Sequence, residues 1–362
     1  MEPARLRANL ARTPGLVAAP LTHARRDPAA LDLGAATLAA VLTQELPRRT
    51  RAWLESPDDY LIDADLRSID ENDYQILCCL DPGYPAALAL AQAAPAALYV
   101  RGNPGALARP TLGIVGAPQA SAAGIETTRR FAVELGRGGL SICSGLAEGI
   151  DTAAQQALRA AGEAGIAVCT AALDAIHPAR SAQLAAQVCE RGCLVSLFAP
   201  GTPPRRYHFP LRNRLLAALG AGVLVVEAAV GSGALSVAAQ ARALQRRVFA
   251  VPGSIRDPHS RACNQLIRDG ATLVQQSGEL LEDLNFQNIQ NITDRAPDSE
   301  RAPPLDNKYE MLLDAAGFEP VDIDTLALRT GWSGHAVASM LLLLELQGRV
   351  APQPGGRYCR LS

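Results

Sequence analysis

Lysine is almost absent from this chain: Lys308 is the single one among 34 basic residues. Alanine is inflated alongside arginine, so a compositional bias of the genome accounts for much of the imbalance. The physical consequence stands regardless, because any anion site here must be built from planar guanidinium forks, which match phosphate oxygens well. A surplus of positive charge is also missing. The formal net charge is −2, so overall charge does not mark a polyanion binder. No uninterrupted apolar run reaches about 18 residues, which by pattern excludes a membrane-spanning helix. The N-terminus carries Arg5 and Arg7 without a following apolar stretch, so no secretory signal is expected and the reading is cytoplasmic.

Cys-x-x-Cys spacing does not occur although eight cysteines are present, so no metal site is expected. Cys143, Cys169 and Cys193 fall inside apolar strand-like runs, and Cys78 and Cys79 are adjacent. They read as small buried hydrophobes in a reducing compartment. Catalytic machinery is missing too. Asp151, Asp174 and Glu227 follow strands, yet no Ser/His/Asp spacing or Cys–His pair accompanies them, and the five histidines are scattered. A carboxylate in such a position more often caps helix amides or orients arginines. The expectation is a non-catalytic protein with no cofactor.

Length points to about two or three domains, and three regions emerge. Residues 1–80 read as a small helical domain, with apolar helical stretches over 35–46 and 61–69 broken by prolines, and with eight arginines against four acids through Arg51. Asp81-Pro-Gly-Tyr-Pro85 marks its end as a dense turn signal. Residues 82–285 alternate short apolar runs, expected as strands near 112–116, 140–144, 166–169, 193–197, 223–227, 248–251 and 271–274, with stretches of helical length. Strands that are apolar throughout and separated by helices predict a Rossmann-like α/β fold, a doubly wound parallel sheet covered on both faces. A polar stretch over 286–304 suits a flexible linker. Residues 305–362 predict three helices and a terminal hairpin, the winged-helix layout. Its third helix, over 335–347, has no Lys or Arg, so packing rather than entry into a duplex groove is expected of it.

Ligands of a doubly wound sheet bind at the carboxyl ends of its strands. Three loops at such ends pair small residues with helix starts: one opening at Gly116, one at Ser144-Gly145, and one leading from Glu227 to Ser232-Gly233. Each is expected to leave backbone N–H groups free to face an anion. Singly, a glycine at a strand-to-helix turn is as often structural; three at matching ends carry more weight. None is a complete Gly-x-Gly-x-x-Gly or a phosphate loop ending in Lys-Ser/Thr. The most distinctive block is 200–217, where Arg205, Arg206, Arg212 and Arg214 occur without an acid among them and Tyr207, His208 and Phe209 interleave. Guanidinium groups there would neutralise phosphates while an aromatic face stacks on an unpaired base. The bland alternative is a solvated basic loop ahead of a helix.

These blocks resemble a known family. Gly145-Leu-Ala-x-Gly-Ile-Asp151, Phe209-Pro-x-Arg-Asn-Arg214, Val225-Val-Glu-Ala with Ser232-Gly-Ala-Leu235, and Phe249-Ala-Val-Pro-Gly-Ser254 followed by Ser260-Arg-x-Cys-Asn-x-Leu-Ile-Arg-x-Gly270 are similar to the DNA-processing protein A (DprA/Smf) family. Tyr84-Pro85 and Tyr99-Val-Arg-Gly-Asn103 match its approach segment. The resemblance implies a SAM-like N-terminal domain, a Rossmann-like centre and a winged helix. It implies a homodimer that binds single-stranded DNA, protects incoming DNA during natural transformation and loads the RecA recombinase. It carries DNA contact onto Arg206, Phe209, Arg212, Asn213 and Arg214, with Gly116, Ser232 and Gly233 lining the floor. The departures are Gly116-Ala-Pro118 in place of Gly-Ser-Arg, Glu148 in place of an arginine, Gly231 in place of a cation, Gln155 in place of histidine, Thr170-Ala-Ala-Leu-Asp174 in place of Gly-x-Gly-Leu-Asp, and Leu197 in place of glutamate. Fewer cations imply weaker binding or a footprint centred on residues 205–214. A nucleotide-binding Rossmann-like enzyme or sensor is the competing reading, and a RecA scaffold that does not itself grip DNA is a third.

Overall fold

The computed structural model describes residues 3–13, 16, 48–91, 94–286 and 307–361. The helix expected over 35–46 and, apart from Phe286, the linker expected over 286–304 lie outside the described residues.

Nine strands form the main sheet, in the order β1-β2-β6-β5-β4-β3-β7-β8-β9. They are β1 Tyr74–Cys78, β2 Ala97–Gly102, β3 Thr111–Val115, β4 Ser141–Ser144, β5 Gly165–Val168, β6 Cys193–Ser196, β7 Gly222–Val225, β8 Arg247–Ala250 and β9 Thr272–Leu273. From β6 to β9 all neighbours are parallel. Only β2 runs against them, pairing antiparallel with β6 on one side and β1 on the other. Side chains alternate between the two faces, as the pleat requires. Leu112, Ile114, Ile142, Leu224 and Phe249 join the core under the helices Ala122–Arg137 and Ile150–Ala160. Val115, Cys143, Val223, Val225 and Ala250 join the opposite core with Leu215, Leu216 and Val237, under the helices His208–Leu219 and Gly233–Ala243. The doubly wound sheet expected from the sequence is present.

The first region departs from its expected boundary. Strand β1 precedes residue 80 and belongs to the sheet through β2. The Asp81-Pro-Gly turn looked like a domain end because its residues are turn formers, but it closes an internal corner. Asp81 accepts the Cys78 N–H at 2.8 Å and a forked pair of bonds from Arg7. Among the described residues of this region, Arg5, Arg7 and Arg12 are each engaged by nearby carboxylates. Arg5 bonds Asp59 and Asp63, and Arg12 holds the buried Asp65. The helices Pro3–Arg12 and Asp59–Asn72 are thus fastened by ion pairs, Trp53 of the helix Arg48–Glu55 donates its Nε1–H to Asn9 Oδ1 at 2.8 Å, and Leu6, Leu10 and Leu54 sink into the same core as Leu215 and Leu216.

The C-terminal region has the helices Asn307–Ala316, Ile323–Thr330 and Gly334–Leu346 with a three-stranded sheet of β10 Val321–Asp322, β12 Arg357–Arg360 and β11 Val350–Gln353 in that order. Val337, Leu341 and Leu344 of the third helix bury into its own core with Leu312, Leu313 and Leu326. All eight cysteines are free, and all but Cys189 are buried. Burial pushes the Cys143 thiol up to about 12, so it is an inert filler of the sheet rather than a nucleophile.

Candidate nucleic-acid interface

The chain runs outward from β3 through β4 and β5 to β6, then returns over the sheet by the helix His208–Leu219 to β7 on the other side of β3. Strand order therefore reverses between β3 and β7, and the crevice beyond their carboxyl ends is where this fold takes ligands.

The three loops expected to face an anion behave differently from one another. Beyond β3, the helix Ala122–Arg137 already has an anion at its start. Glu227, arriving from β7, is buried and accepts the Ser121 N–H at 2.9 Å and the Ser121 hydroxyl at 2.5 Å. A Cβ on Gly124 would stand 2.3 Å from that carboxylate. This loop is closed by the protein's own charge, a correction to the expectation of free amides there. Gly116 lies beneath it for steric reasons: a Cβ would meet Ile150 Cγ1 at 2.4 Å and the Glu227 carbonyl at 2.9 Å.

Beyond β4, Ser144 is buried and its hydroxyl donates to the Ile114 carbonyl at 2.7 Å, tying β4 to β3. It offers nothing outward. Gly149 takes φ +72°, and a Cβ there would come 2.2 Å from the Ala117 carbonyl, so the first two loops touch at the one position that glycine permits. Behind them sits a buried ion pair. The Arg212 guanidinium donates to the Val168 carbonyl at 3.2 Å and to Asn213 Oδ1 at 3.0 Å, and reaches Asp151 Oδ2 at 3.5 Å. Burial holds the Asp151 carboxyl above its usual range despite the Arg212 charge.

The third loop is the open one. Ser232 has the backbone angles of a helix cap, φ −70° and ψ 158°, but its side chain caps nothing, and its Oγ is sheltered without a hydrogen-bond partner. Gly231 and Gly233 would have open space around an added Cβ. An eleven-residue helix begins here with its N–H groups free of a side-chain cap.

The arginine block does not converge into one cradle, and this corrects the expectation. Arg212 is interior, as is Asn213. Arg214 turns to the other side of the helix, where it lines a cavity of about 270 Å³ with Leu10, Leu211, Leu215 and Ala218. The physical reason is helical periodicity: residues 212 and 214 lie about 200° apart around the axis, a separation that clustering along the sequence does not reveal. What stays exposed is Arg205, Arg206, Tyr207 and Phe209. The segment carrying them is pinned to the rim. Gly201 N–H donates to Asp174 Oδ2 at 2.8 Å, and Ala172 N–H to the Thr202 carbonyl at 3.0 Å. His208, expected among the displayed aromatics, is buried instead, stacked on Phe198 at 3.9 Å with its Nδ1 2.9 Å from the Thr170 carbonyl. Arg205 lies over the Tyr207 ring at 6.0 Å.

Sequence reasoning missed His177 and Arg180. His177 meets the Phe209 ring edge-on at 6.5 Å, and Arg180 pairs with Glu148 at 2.8 Å. Their signal was position, since they follow β5 as the recognised loops follow β3, β4 and β7. Among the described residues there is no group of three or more His, Cys, Asp or Glu able to hold a metal ion, and no helix long and apolar enough to cross a membrane.

A doubly wound sheet with helices on both faces, followed by a winged helix, defines a Rossmann-like protein with an appended winged-helix domain. Comparison with known proteins is specific. Residues 75–285 match the family of DNA recombination-mediator protein A, and residues 296–356 match the DprA winged helix domain. Protein Smf of Escherichia coli (strain K12) is 39% identical over 313 residues, covering 85% of this chain and 79% of that one. The X-ray structure of DNA processing protein A from Streptococcus pneumoniae aligns with a TM-score of 0.66 and 29% identity, over 77% of this chain and 96% of that one. DNA processing protein A from Helicobacter pylori, whose structure was described for its single-stranded DNA binding mode, aligns with a TM-score of 0.53 and 26% identity, over 59% and 95%. The chain belongs to the DprA/Smf family.

Proposed function

We propose that this protein binds single-stranded DNA along the carboxyl rim of its sheet, without catalysing a reaction on it. The observation that carries the reading is the pinned segment 200–209, which holds Arg205, Arg206, Tyr207 and Phe209 exposed beside the strand ends. Guanidinium forks there meet backbone phosphates, and the exposed rings take unpaired bases, each stack contributing about 1–3 kcal/mol. The open start of the helix Gly233–Ala243, with the unpartnered Ser232 hydroxyl, offers a seat for one phosphate. Arg212, Asn213, Ser144, Gly145 and Gly116 support the rim from beneath by fixing its loops, rather than reaching the strand through exposed groups.

The related protein from Helicobacter pylori described for its single-stranded DNA binding supports the ligand class. The wider role we infer is that of a cytoplasmic homodimer that shields incoming DNA during natural transformation and loads RecA onto it. The test is titration of fluorescent oligo-dT with wild-type protein and with Arg206→Ala, alongside a thermal-shift panel of mononucleotides. Binding of oligo-dT that weakens in the variant supports the reading; stabilisation by a mononucleotide with no oligo-dT binding overturns it. Sedimentation and a RecA-loading assay test the assembly and partner.

A further inference from the structure

Two exposed residues on neighbouring loops extend the rim beyond the segment just described. Glu148 stands in the loop after β4, one residue before Gly149, where that loop meets the Ala117 carbonyl. Arg180 stands in the turn Ala179–Ser181 after β5. The loops are fastened together, because the buried Ser181 hydroxyl donates to the Leu146 carbonyl at 2.8 Å. Arg180 Nε lies 2.8 Å from Glu148 Oε1, with the side chains 65% and 51% exposed. Three residues before Arg180, His177 touches Phe209, the exposed ring of the arginine–aromatic segment. Phe209, His177 and Arg180 thus stand on adjoining segments, and the loop of Glu148, which Arg180 pairs with, meets the Ala117 carbonyl beyond β3.

We propose that Arg180 is a phosphate-contacting residue and that Glu148 competes with the nucleic acid for it. This rests on the rim being the single-stranded DNA site. An ion pair exposed on both sides gains little in water and is screened by salt. It is held firmly enough to orient the guanidinium and weakly enough to exchange its carboxylate for a phosphate, which accepts the same forked bonds. On phosphate arrival the Arg180–Glu148 bonds open, Arg180–phosphate bonds form, and the Glu148 carboxylate returns to solvent. Glu148 thus attenuates binding in two ways: by occupying Arg180 and by repelling the strand.

A double-mutant cycle on the full chain separates these. Oligo-dT titrations at two salt concentrations are run with wild type, Arg180→Ala, Glu148→Ala and the double variant, with melting temperatures confirming that all four are folded. Arg180→Ala is expected to weaken binding about fivefold and to flatten the log–log salt slope by about 0.7, the value of one single-strand phosphate contact. Glu148→Ala is expected to tighten binding about threefold, with most of that gain lost when Arg180 is absent. Unchanged binding in Arg180→Ala, or an equal gain from Glu148→Ala in both backgrounds, overturns the proposal while leaving the rim site intact. Failure of the wild-type protein to bind oligo-dT overturns the rim site and this proposal together.

Discussion

Gly145 and Arg212 compete for the same space: a Cβ on Gly145 would stand 1.7 Å from Arg212 Nη2 and 2.4 Å from Asp151 Oδ2. The second loop of the crevice is thus shaped around a buried guanidinium. Gly145→Ala must push Arg212 off the Val168 carbonyl or move the loop. A destabilisation of about 1–3 kcal/mol is expected from urea unfolding, typical of overpacking at a rigid site. A variant as stable as wild type would show that Arg212 has room to yield.

Glu227 acts as an internal anion on the helix Ala122–Arg137. Glu227→Ala leaves the half-buried donors of Ser121 without their carboxylate and is expected to cost about 1–3 kcal/mol, measured by urea unfolding. The same change empties one helix start, so inorganic phosphate is expected to stabilise the variant more than the wild type. Equal stability with and without Glu227 would contradict its assigned role.

The sheet was legible because its strands are apolar throughout and their spacing leaves room for helices. Strands β1 and β2 were not, because Tyr74-Gln-Ile-Leu-Cys78 abuts turn residues that imitate a domain end. The site was legible in part. Clustered arginines and rings singled out a segment whose Arg205, Arg206, Tyr207 and Phe209 are exposed, but sequence density does not reveal facing. Arg212 and Arg214 lie on a helix and point to different sides, while Arg205 and Arg206 precede it and remain exposed. Glu227 filling the first loop was foreshadowed by the general tendency of such carboxylates to cap amides. His177 and Arg180 escaped notice because no repeated residue type marks their loop.

Acid should loosen the N-terminal helix through Asp81. Burial works to raise its pKa, but the Arg7 fork and the Cys78 N–H outweigh it and hold the carboxyl below the usual range. A depressed folded pKa contributes stability that is full above the unfolded value of about 3.9 and is lost as pH falls through the folded value. Melting temperatures of wild type and Asp81→Asn are therefore expected to differ at neutral pH and to converge below about pH 4. A gap that stays constant across this range would remove Asp81 from the acid response.

The winged helix is expected to be dispensable for gripping the strand. Its third helix carries no Lys or Arg, and Val337, Leu341 and Leu344 commit that helix to its own core. Deleting residues 305–362 is expected to leave oligo-dT affinity within about threefold, or less than about 0.7 kcal/mol. A loss beyond about tenfold, about 1.4 kcal/mol, would assign DNA contact to this domain.

The most direct measurement is an oligo-dT isotherm at about 50 and about 200 mM salt for the wild type, the Arg205→Ala/Arg206→Ala double variant and Phe209→Ala. These side chains are exposed, so the folded structure is expected to survive each change. The double variant should bind more weakly, with a salt slope shallower by about 1.4, two single-strand phosphate contacts. Phe209→Ala should lose about 1–3 kcal/mol of binding with its slope unchanged. Wild-type binding that is absent, or affinities and slopes identical across all three proteins, would contradict a single-stranded DNA site on this rim.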